Sequence, residues 1–154
     1  MKKILLLFAG LMLIACNDND DSVLLSPQEQ GVNFNRVGKG NLYGNSSENI
    51  TQQNLVINTE AEWNALKAAM DASNNTTYQF TETEINFDEY QVLAVFDAVK
   101  MNGGWTIDIL DIAETQDNIL VNLDNVRKGD ATTVITQPFE IVKIKRTDKA
   151  IVFD

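Results

Sequence analysis

The chain has 154 residues, enough for one domain with a sizeable core, and carries a formal net charge of −10. This acidic excess disfavours binding to nucleic acid and to bare anionic lipid, because phosphate groups are held by clustered Lys and Arg. With no histidine and a single cysteine, the sequence excludes disulfides within the chain, His- or Cys-based metal sites, and the usual Ser–His and Cys–His catalytic pairs.

The first sixteen residues have the pattern of a bacterial lipoprotein signal. Lys2 and Lys3 precede an apolar stretch over 4–13, which is too short for a membrane-spanning helix. The sequence Leu13-Ile14-Ala15-Cys16 resembles a lipobox, in which the cysteine becomes the lipidated first residue. We therefore expect a signal peptide over 1–15 and a membrane anchor on Cys16, where several acyl chains would hold the protein firmly. This pattern predicts an outer-membrane lipoprotein in the envelope of a Gram-negative bacterium.

A polar segment follows the lipidation site. Residues 17–22 contain only Asn, Asp and Ser, so we expect a solvated, acidic tether over 16–28 that includes the lipidated cysteine. Acidic residues directly after that cysteine also resemble the signal that sends some lipoproteins to the outer face of the outer membrane. The sequence leaves both interpretations open, and with them the exposure of the protein at the cell surface. The remainder, 29–154, is predicted to form a single domain.

The strongest helix signal begins at Thr59. The segment Thr59-Glu60-Ala61-Glu62 has the pattern of a capping box, in which the Thr hydroxyl and the Glu carboxylate each accept a hydrogen bond from a free backbone N–H. Trp63, Leu66 and Met70 then follow at i, i+3 and i+7, which places them on one face of a helix. This spacing favours Trp63 as a core residue.

Most of the remaining sequence has the pattern of strands. The continuous apolar run at 92–96 predicts a central strand covered on both faces. Alternation or β-branched composition predicts further strands at 32–36, 54–58, 105–112, 119–123, 132–136, 139–145 and 150–153, with a change of parity near 110 that indicates a bulge. Short connections favour antiparallel pairing. The predicted fold class is therefore α+β, with one main helix packed on a twisted, mostly antiparallel β-sheet.

Carboxylates are plentiful, but the sequence singles out no catalytic pair. Neighbours such as Asp108 and Asp111 are expected from composition alone, and acid–base catalysis needs two groups whose environments separate their pKa values. The Gly-x-Ser-x-Gly and Ser-x-x-Lys nucleophile motifs and the aspartic protease motif are missing. Gly103-Gly104 has no phosphate-loop context, so a turn with positive φ or close backbone packing is its expected role. We predict no enzyme activity, no catalytic residue, no cofactor and no metal.

Four segments, taken in order, resemble the PrcB family of lipoprotein subunits of surface protease complexes. They are Gly44 with the strand and helix over 55–66, the run at 92–96, the segment 100–109 with its glycine pair and aromatic residue, and the Pro-aromatic strand over 136–144. The chain departs from the family pattern at Asp97, where glycine is frequent, and at Trp105 and Phe139, where tyrosine is usual. The resemblance implies a PrcB-like domain that assists or stabilises a surface protease or another envelope protein, and it supplies no catalytic residues.

The last two of these segments suggest a candidate interface. If Gly103, Gly104 and Trp105 lie beside Pro138 and Phe139, they form an aromatic corner with accessible backbone, and aromatic residues are favoured anchors in interfaces. Packing in the core is the other interpretation of the same aromatic residues. The alternative function is a surface lipoprotein that binds a small ligand or a glycan, with Trp105 as a stacking surface.

Overall fold

The computed structural model describes residues 29–44 and 48–154. The predicted signal peptide, Cys16 and the tether lie outside these residues. The described residues contain eight strands, one α-helix and one short 3-10 helix. In chain order these are β1 (Gln30–Gly31), β2 (Phe34–Leu42), β3 (Gln53–Ile57), α1 (Glu60–Met70), the 3-10 helix (Thr76–Gln79), β4 (Tyr90–Phe96), β5 (Asp108–Glu114), β6 (Asn118–Asp124), β7 (Gln137–Lys145) and β8 (Ala150–Phe153).

The strands form two four-stranded sheets. The first sheet has the order β1-β5-β6-β8, and the second has the order β2-β7-β4-β3. All neighbouring strands are antiparallel except β6 and β8, which run parallel. The predicted mostly antiparallel arrangement is confirmed, but the prediction of a single sheet is wrong. Alternation in a sequence shows which residues share a face of a strand, and it does not show which strands are neighbours.

The two middle strands of the second sheet separate two apolar cores. Side chains at positions 92, 94 and 96 of β4 pack in the core beneath α1, with Phe139 and Ile141 of β7. Those at 93 and 95 join a second core that includes Ile112 of β5 and Val121 of β6, so this core connects the two sheets. The prediction of a central strand covered on both faces is therefore confirmed for β4.

Helix α1 begins where the capping box predicts. The Thr59 side chain accepts a hydrogen bond from the Glu62 N–H, and the Glu62 carboxylate accepts one from the Thr59 N–H at 3.1 Å. Trp63, Leu66 and Met70 are the buried residues of the helix. The indole N–H of Trp63 donates to the carbonyl of Thr83 at 2.9 Å, which satisfies its polar edge inside the core. Trp63 is thus a core residue.

Two features of the sheets differ from the sequence prediction or refine it. Residues 132–136, predicted as a strand, form an irregular segment in which Thr136 makes one isolated bridge to Lys100. Strand preference reflects packing against neighbouring strands, and this segment lies ahead of the point where β7 enters the sheet. The change of parity near 110 is a real irregularity, because the pairing of β5 with β6 shifts between Ile109 and Asp111.

Candidate functional site

The pairing of three strands of the second sheet brings the last residues of β2 and β4 to the same end of the sheet as the start of β7. Strand β2 ends at Leu42, which pairs with Gln137 at the start of β7, and β4 ends at Phe96, which pairs with Phe139. The segments that continue from these strands, 43–44, 97–107 and 130–136, therefore lie at the same end of the sheet. This loop end contains most of the residues that the sequence singled out as a candidate interface.

Asp97 holds the loop end together from inside. It is buried, and its two carboxylate oxygens accept hydrogen bonds from the Ala98 N–H at 2.6 Å and from the Asn125 side-chain amide at 2.7 Å. Lys100 Nζ forms an ion pair with the same carboxylate at 2.9 Å, and the Gln137 side chain donates to the Asp97 carbonyl at 3.0 Å. Asp97 thus connects the segment after β4, the segment after β6 and the start of β7.

Gly103 and Gly104, which follow Asp97 in the same segment, have different roles. Gly104 has φ of +76°, a left-handed conformation that L side chains rarely adopt. Gly103 packs closely against Thr132, whose hydroxyl accepts a hydrogen bond from the Gly103 N–H at 3.2 Å. The Gly103 carbonyl accepts a hydrogen bond from the Asp130 N–H at 2.9 Å. Both roles expected from the sequence, a positive φ and close backbone packing, are present at this pair.

Trp105 is half-buried against neighbouring loops. Its indole N–H donates to Asn102 Oδ1 at 2.9 Å, and Lys100 Nζ lies 4.7 Å from the centre of its ring. On its polar edge, a Cβ built at Gly129 would lie 2.6 Å from the indole nitrogen, so the loop backbone packs directly on the ring. One ring face is therefore occupied by a cation and the polar edge by backbone and an amide.

The structure places Pro138 and Phe139 in the interior. Phe139 is 3 % exposed and packs with Phe80 and Phe96, at ring-centre distances of 6.3 Å and 6.1 Å. Pro138 is also buried, as the second residue of β7. Pro138 and Phe139 therefore pack in the core and do not form part of an exposed interface. The exposed part of the predicted corner is limited to the segment around Gly104 and Trp105.

An exposed apolar surface lies on the same loop end, and the sequence prediction did not include it. Its residues come from three segments and each is between 39 % and 74 % exposed. They are Tyr43, Val99, Met101, Val134 and Ile135. We call these five residues the loop-end surface.

Two observations show that these segments are in contact. A Cβ built at Gly44 would lie 3.1 Å from side-chain atoms of both Val99 and Ile135. The Lys100 and Thr136 backbones exchange hydrogen bonds of 2.7 Å and 3.0 Å. The sequence carries a signal for only part of this surface, the β-branched run at 132–136 that contains Val134 and Ile135. That run resembles a strand, because β-branched residues are typical of strands and do not show whether the segment is exposed.

Two carboxylates, Asp108 and Glu140, lie close enough to share one cation, and both are bound to cations. Lys39 contacts both carboxylates, and Arg36 Nε lies 2.5 Å from Glu140. Burial alone would raise the pKa of Asp108, but the hydrogen bonds from Lys39 and Thr106 outweigh it and lower the pKa below its usual value. Asp108 is therefore held in its ionised form by its neighbours and is poorly suited to act as a general acid.

The part of the chain that the structure describes contains no group of three or more carboxylate, His or Cys side chains placed to hold a metal ion. Across the same residues, no helix has the length and apolar character needed to cross a bilayer. Comparisons of the chain with protein-family models, with curated protein sequences and with solved structures find no match. The resemblance to the PrcB family therefore stays a prediction.

Proposed function

We propose that this chain is a non-catalytic, lipid-anchored protein of the cell envelope that binds a protein partner through the loop-end surface. The observation that carries the proposal is the set of five exposed apolar residues on three connected segments. Contiguous exposed apolar patches mark interaction sites, and Tyr and Met are enriched in interfaces. The hydrogen bonds of Asp97 fix the supporting loops before binding, which lowers the entropy lost on association.

The partner class follows from the PrcB-like resemblance. It points to an accessory or stabilising role toward a surface protease or another envelope protein. The lipobox supports the same setting, because an anchor on Cys16 would hold the domain at the outer membrane, beside such a partner. The cation-bound state of Asp108 and Glu140 supports a role without catalysis.

The alternative function, binding of a small ligand or glycan at Trp105, has weaker support from the geometry. A sugar that stacks on an aromatic residue needs an open ring face, and at Trp105 Lys100 covers one face while the backbone at Gly129 packs against the polar edge, so the half-buried ring offers little open surface. Gly104, which is exposed beside it, would supply backbone contacts only. The loop-end surface therefore favours the protein partner.

The partner can be tested by cross-linking intact cells that express the full chain, followed by detergent extraction and mass spectrometry. We expect a protease subunit or other envelope protein among the cross-linked neighbours. The variant Met101→Asp places a charge on the most exposed residue of the loop-end surface and is expected to lower capture by about tenfold or more, the effect of losing one interface anchor. Leu110→Asp, which changes an exposed apolar residue on β5, is the matched control. Equal capture by wild type and Met101→Asp would contradict the proposed surface.

The anchor is tested separately by Cys16→Ala. Without the lipidated cysteine, the protein is expected to leave the membrane fraction and appear in the soluble fraction, because no lipid remains to hold it. Fractionation followed by immunoblotting measures the distribution. Firm retention of Cys16→Ala in the membrane fraction would contradict lipid anchoring without affecting the proposal about the loop-end surface.

A further inference from the structure

A second candidate binding site lies away from the loop-end surface, in a cleft between strand β2 and the segment that contains the 3-10 helix. The cleft has a volume of about 320 Å³, which is within the range of small-molecule sites. Its rim consists of Gly40, Asn41, Asn74, Asn75, Thr76 and Gln79, and its floor is formed by Phe80 and Phe139. We call it the β2 cleft.

Two glycines of β2 lie beside the aromatic rings under the cleft, and only the second of them leaves open space. A Cβ built at Gly38 would lie 2.5 Å from the ring of Phe80, so that ring occupies the space left by the first glycine. At Gly40 a Cβ would meet the ring of Phe139 at 3.5 Å, an ordinary van der Waals distance. The space beside Gly40 is therefore left open, and a side chain could enter it without steric conflict at its Cβ.

The wall opposite β2 is held in place by hydrogen bonds. The Asp71 carboxylate accepts hydrogen bonds from the Thr77 N–H at 2.9 Å and from the Thr77 hydroxyl at 2.6 Å, which closes the loop that contains residues 74–76. Further along, Thr81 donates from its N–H to the Val37 carbonyl at 2.9 Å and from its hydroxyl to the Arg36 carbonyl at 2.9 Å. These bonds tie the wall to β2, so the cleft is formed before any ligand arrives.

The chemistry of the rim is that of uncharged hydrogen-bonding groups. Four side-chain amides and one hydroxyl surround the opening, and each amide offers both donors and an acceptor. Within the described residues, these five side chains make no hydrogen bond to another part of the protein. Lys39 also borders the cleft, but its ammonium group is bound to Asp108 and Glu140 and so is not free to hold an anion.

We propose that the β2 cleft binds a neutral saccharide unit. Neighbouring hydroxyl groups of a sugar act as paired donors and acceptors, which matches an array of amides, and the edges of Phe80 and Phe139 provide an apolar floor. An extended peptide is disfavoured because recognition of that kind uses pockets for alternate side chains, and this rim is polar. The inference is independent of the loop-end surface, since it rests on other residues.

The test uses the full chain, purified in detergent, and the variant Gly40→Val. Valine is favoured in strands, and its side chain would project into the cleft. The matched control is Gly31→Ala on β1, where an added Cβ meets no atom within 4 Å. Both variants are first compared with wild type by thermal unfolding, and Gly40→Ala replaces Gly40→Val if the larger side chain lowers the melting temperature.

Binding is measured on an array of neutral and acidic oligosaccharides, and then in solution with the neutral trisaccharides maltotriose, mannotriose and triacetylchitotriose. We expect wild type and Gly31→Ala to bind at least one neutral saccharide, with shifts of the side-chain amide signals of Asn74, Asn75 or Gln79 in nuclear magnetic resonance spectra. Gly40→Val should weaken that binding by about tenfold or more, because the valine occupies the sugar's volume.

Three results would overturn the proposal. The first is that no neutral saccharide binds, on the array or in solution. The second is that one binds equally well to wild type and to Gly40→Val, which would place the sugar elsewhere. The third is that a random peptide library, screened in parallel, yields ligands that Gly40→Val abolishes while saccharides do not bind, which would assign the cleft to peptide. None of these results depends on whether Met101→Asp alters capture of a protein partner.

Discussion

Glu140 is a carboxylate with no exposed surface, in a strand that passes between two apolar cores. Its oxygens are satisfied by Arg36 Nε at 2.5 Å, by Lys39 Nζ at 3.4 Å and by the Ile109 N–H at 2.7 Å. The last of these bonds joins β7 to β5 and therefore connects the two sheets. A buried charge is tolerated only when it is paired and hydrogen-bonded, so this cluster is a structural connection between the sheets.

Replacing Glu140 with alanine is expected to lower the free energy of unfolding by about 1–3 kcal/mol, because the buried Ile109 N–H loses its acceptor, whereas Arg36 is half-exposed and Lys39 keeps its pair with Asp108. Urea unfolding followed by circular dichroism measures the change. Glu89→Gln is the matched control, since Glu89 pairs with Lys145 where both side chains are more than half exposed, and exposed pairs contribute about 0–1 kcal/mol. A loss for Glu140→Ala no larger than that of the control would contradict the role assigned to this cluster.

Asp108 makes stability depend on pH in a definite direction. Burial raises its pKa, but the hydrogen bonds from Lys39 and Thr106 lower it more, so its pKa is lower in the folded state than in the unfolded state. Its contribution to stability is therefore complete above the unfolded pKa of about 4 and is lost as the pH falls through the folded pKa. We expect the unfolding free energy of wild type to fall more steeply below about pH 4 than that of Asp108→Asn.

The control for this prediction is Thr106→Val, which removes one of the two side-chain hydrogen bonds to Asp108 and leaves Lys39 in place. Its loss of stability on acidification should lie between those of wild type and Asp108→Asn. Denaturant unfolding over a series of pH values gives all three curves. Parallel curves for the three proteins would show that Asp108 has the same pKa in both states.

Individual residues of the candidate site were predictable only where backbone geometry determines the residue type. Gly104 needs a positive φ, and the sequence marked it for that reason. The burial of Phe139 was not predictable as the sole outcome, because an aromatic residue in a strand suits both a core and an interface. The role of Asp97 depends on Asn125 and Gln137, which are distant in the sequence and carry no local signal.

Among the elements, α1 is specified by local interactions that the sequence displays directly. The Thr59 hydroxyl and the Glu62 carboxylate satisfy each other's backbone N–H groups, and the Glu62 carboxylate also accepts from the Asn58 N–H at 3.0 Å. The Asn58 and Thr59 hydrogen bonds lower the pKa of Glu62. Such a cap fixes where the helix begins independently of the core.

Thr59→Ala should lower the free energy of unfolding by about 1 kcal/mol, the usual effect of removing an N-cap side chain. Thermal or urea unfolding measures it, and Thr59→Ser, which keeps the hydroxyl, should recover most of the loss. Thr133→Ala, on the exposed segment before β7, controls for the loss of a threonine that caps no helix. An equal effect of the two alanine variants would contradict a specific role for the cap.

A strand could be predicted from the sequence where burial alone determines its residue types. The run at 92–96 is apolar at every position because both faces of β4 are covered. The pairing of β8 with β6 was not predictable, since a short alternating segment at the end of the chain fits any free sheet edge. The strand predicted at 132–136 is absent because β-branched residues indicate extended backbone whether or not a partner strand is present.

At the scale of the molecule, β4 and β7 give each core one of its walls. The core beneath α1 and the core between the sheets are therefore separated only by the thickness of one sheet. Losing either core would expose an apolar face of both strands. Because the two cores share these strands, the described residues are expected to unfold as one cooperative unit.

This cooperativity can be tested with one truncation in each core. Met70→Ala affects the core beneath α1 and Ile112→Ala the core between the sheets, both at buried positions, and each is expected to lower the free energy of unfolding by about 2–5 kcal/mol. In a Trp105→Phe background, Trp63 is the remaining tryptophan and reports on the core beneath α1, while far-ultraviolet circular dichroism reports on both sheets.

If the two cores unfold together, Ile112→Ala shifts the fluorescence transition and the circular dichroism transition by the same amount, although residue 112 and Trp63 belong to different cores. Leu110→Ala, at an exposed position on the same strand, is the control and should change stability by no more than about 0.5 kcal/mol. A fluorescence transition that stays in place in Ile112→Ala while the circular dichroism transition shifts would mean that the first sheet unfolds on its own. In that case Glu140 would connect two sheets that unfold separately, and its buried contacts would not make them a single cooperative unit.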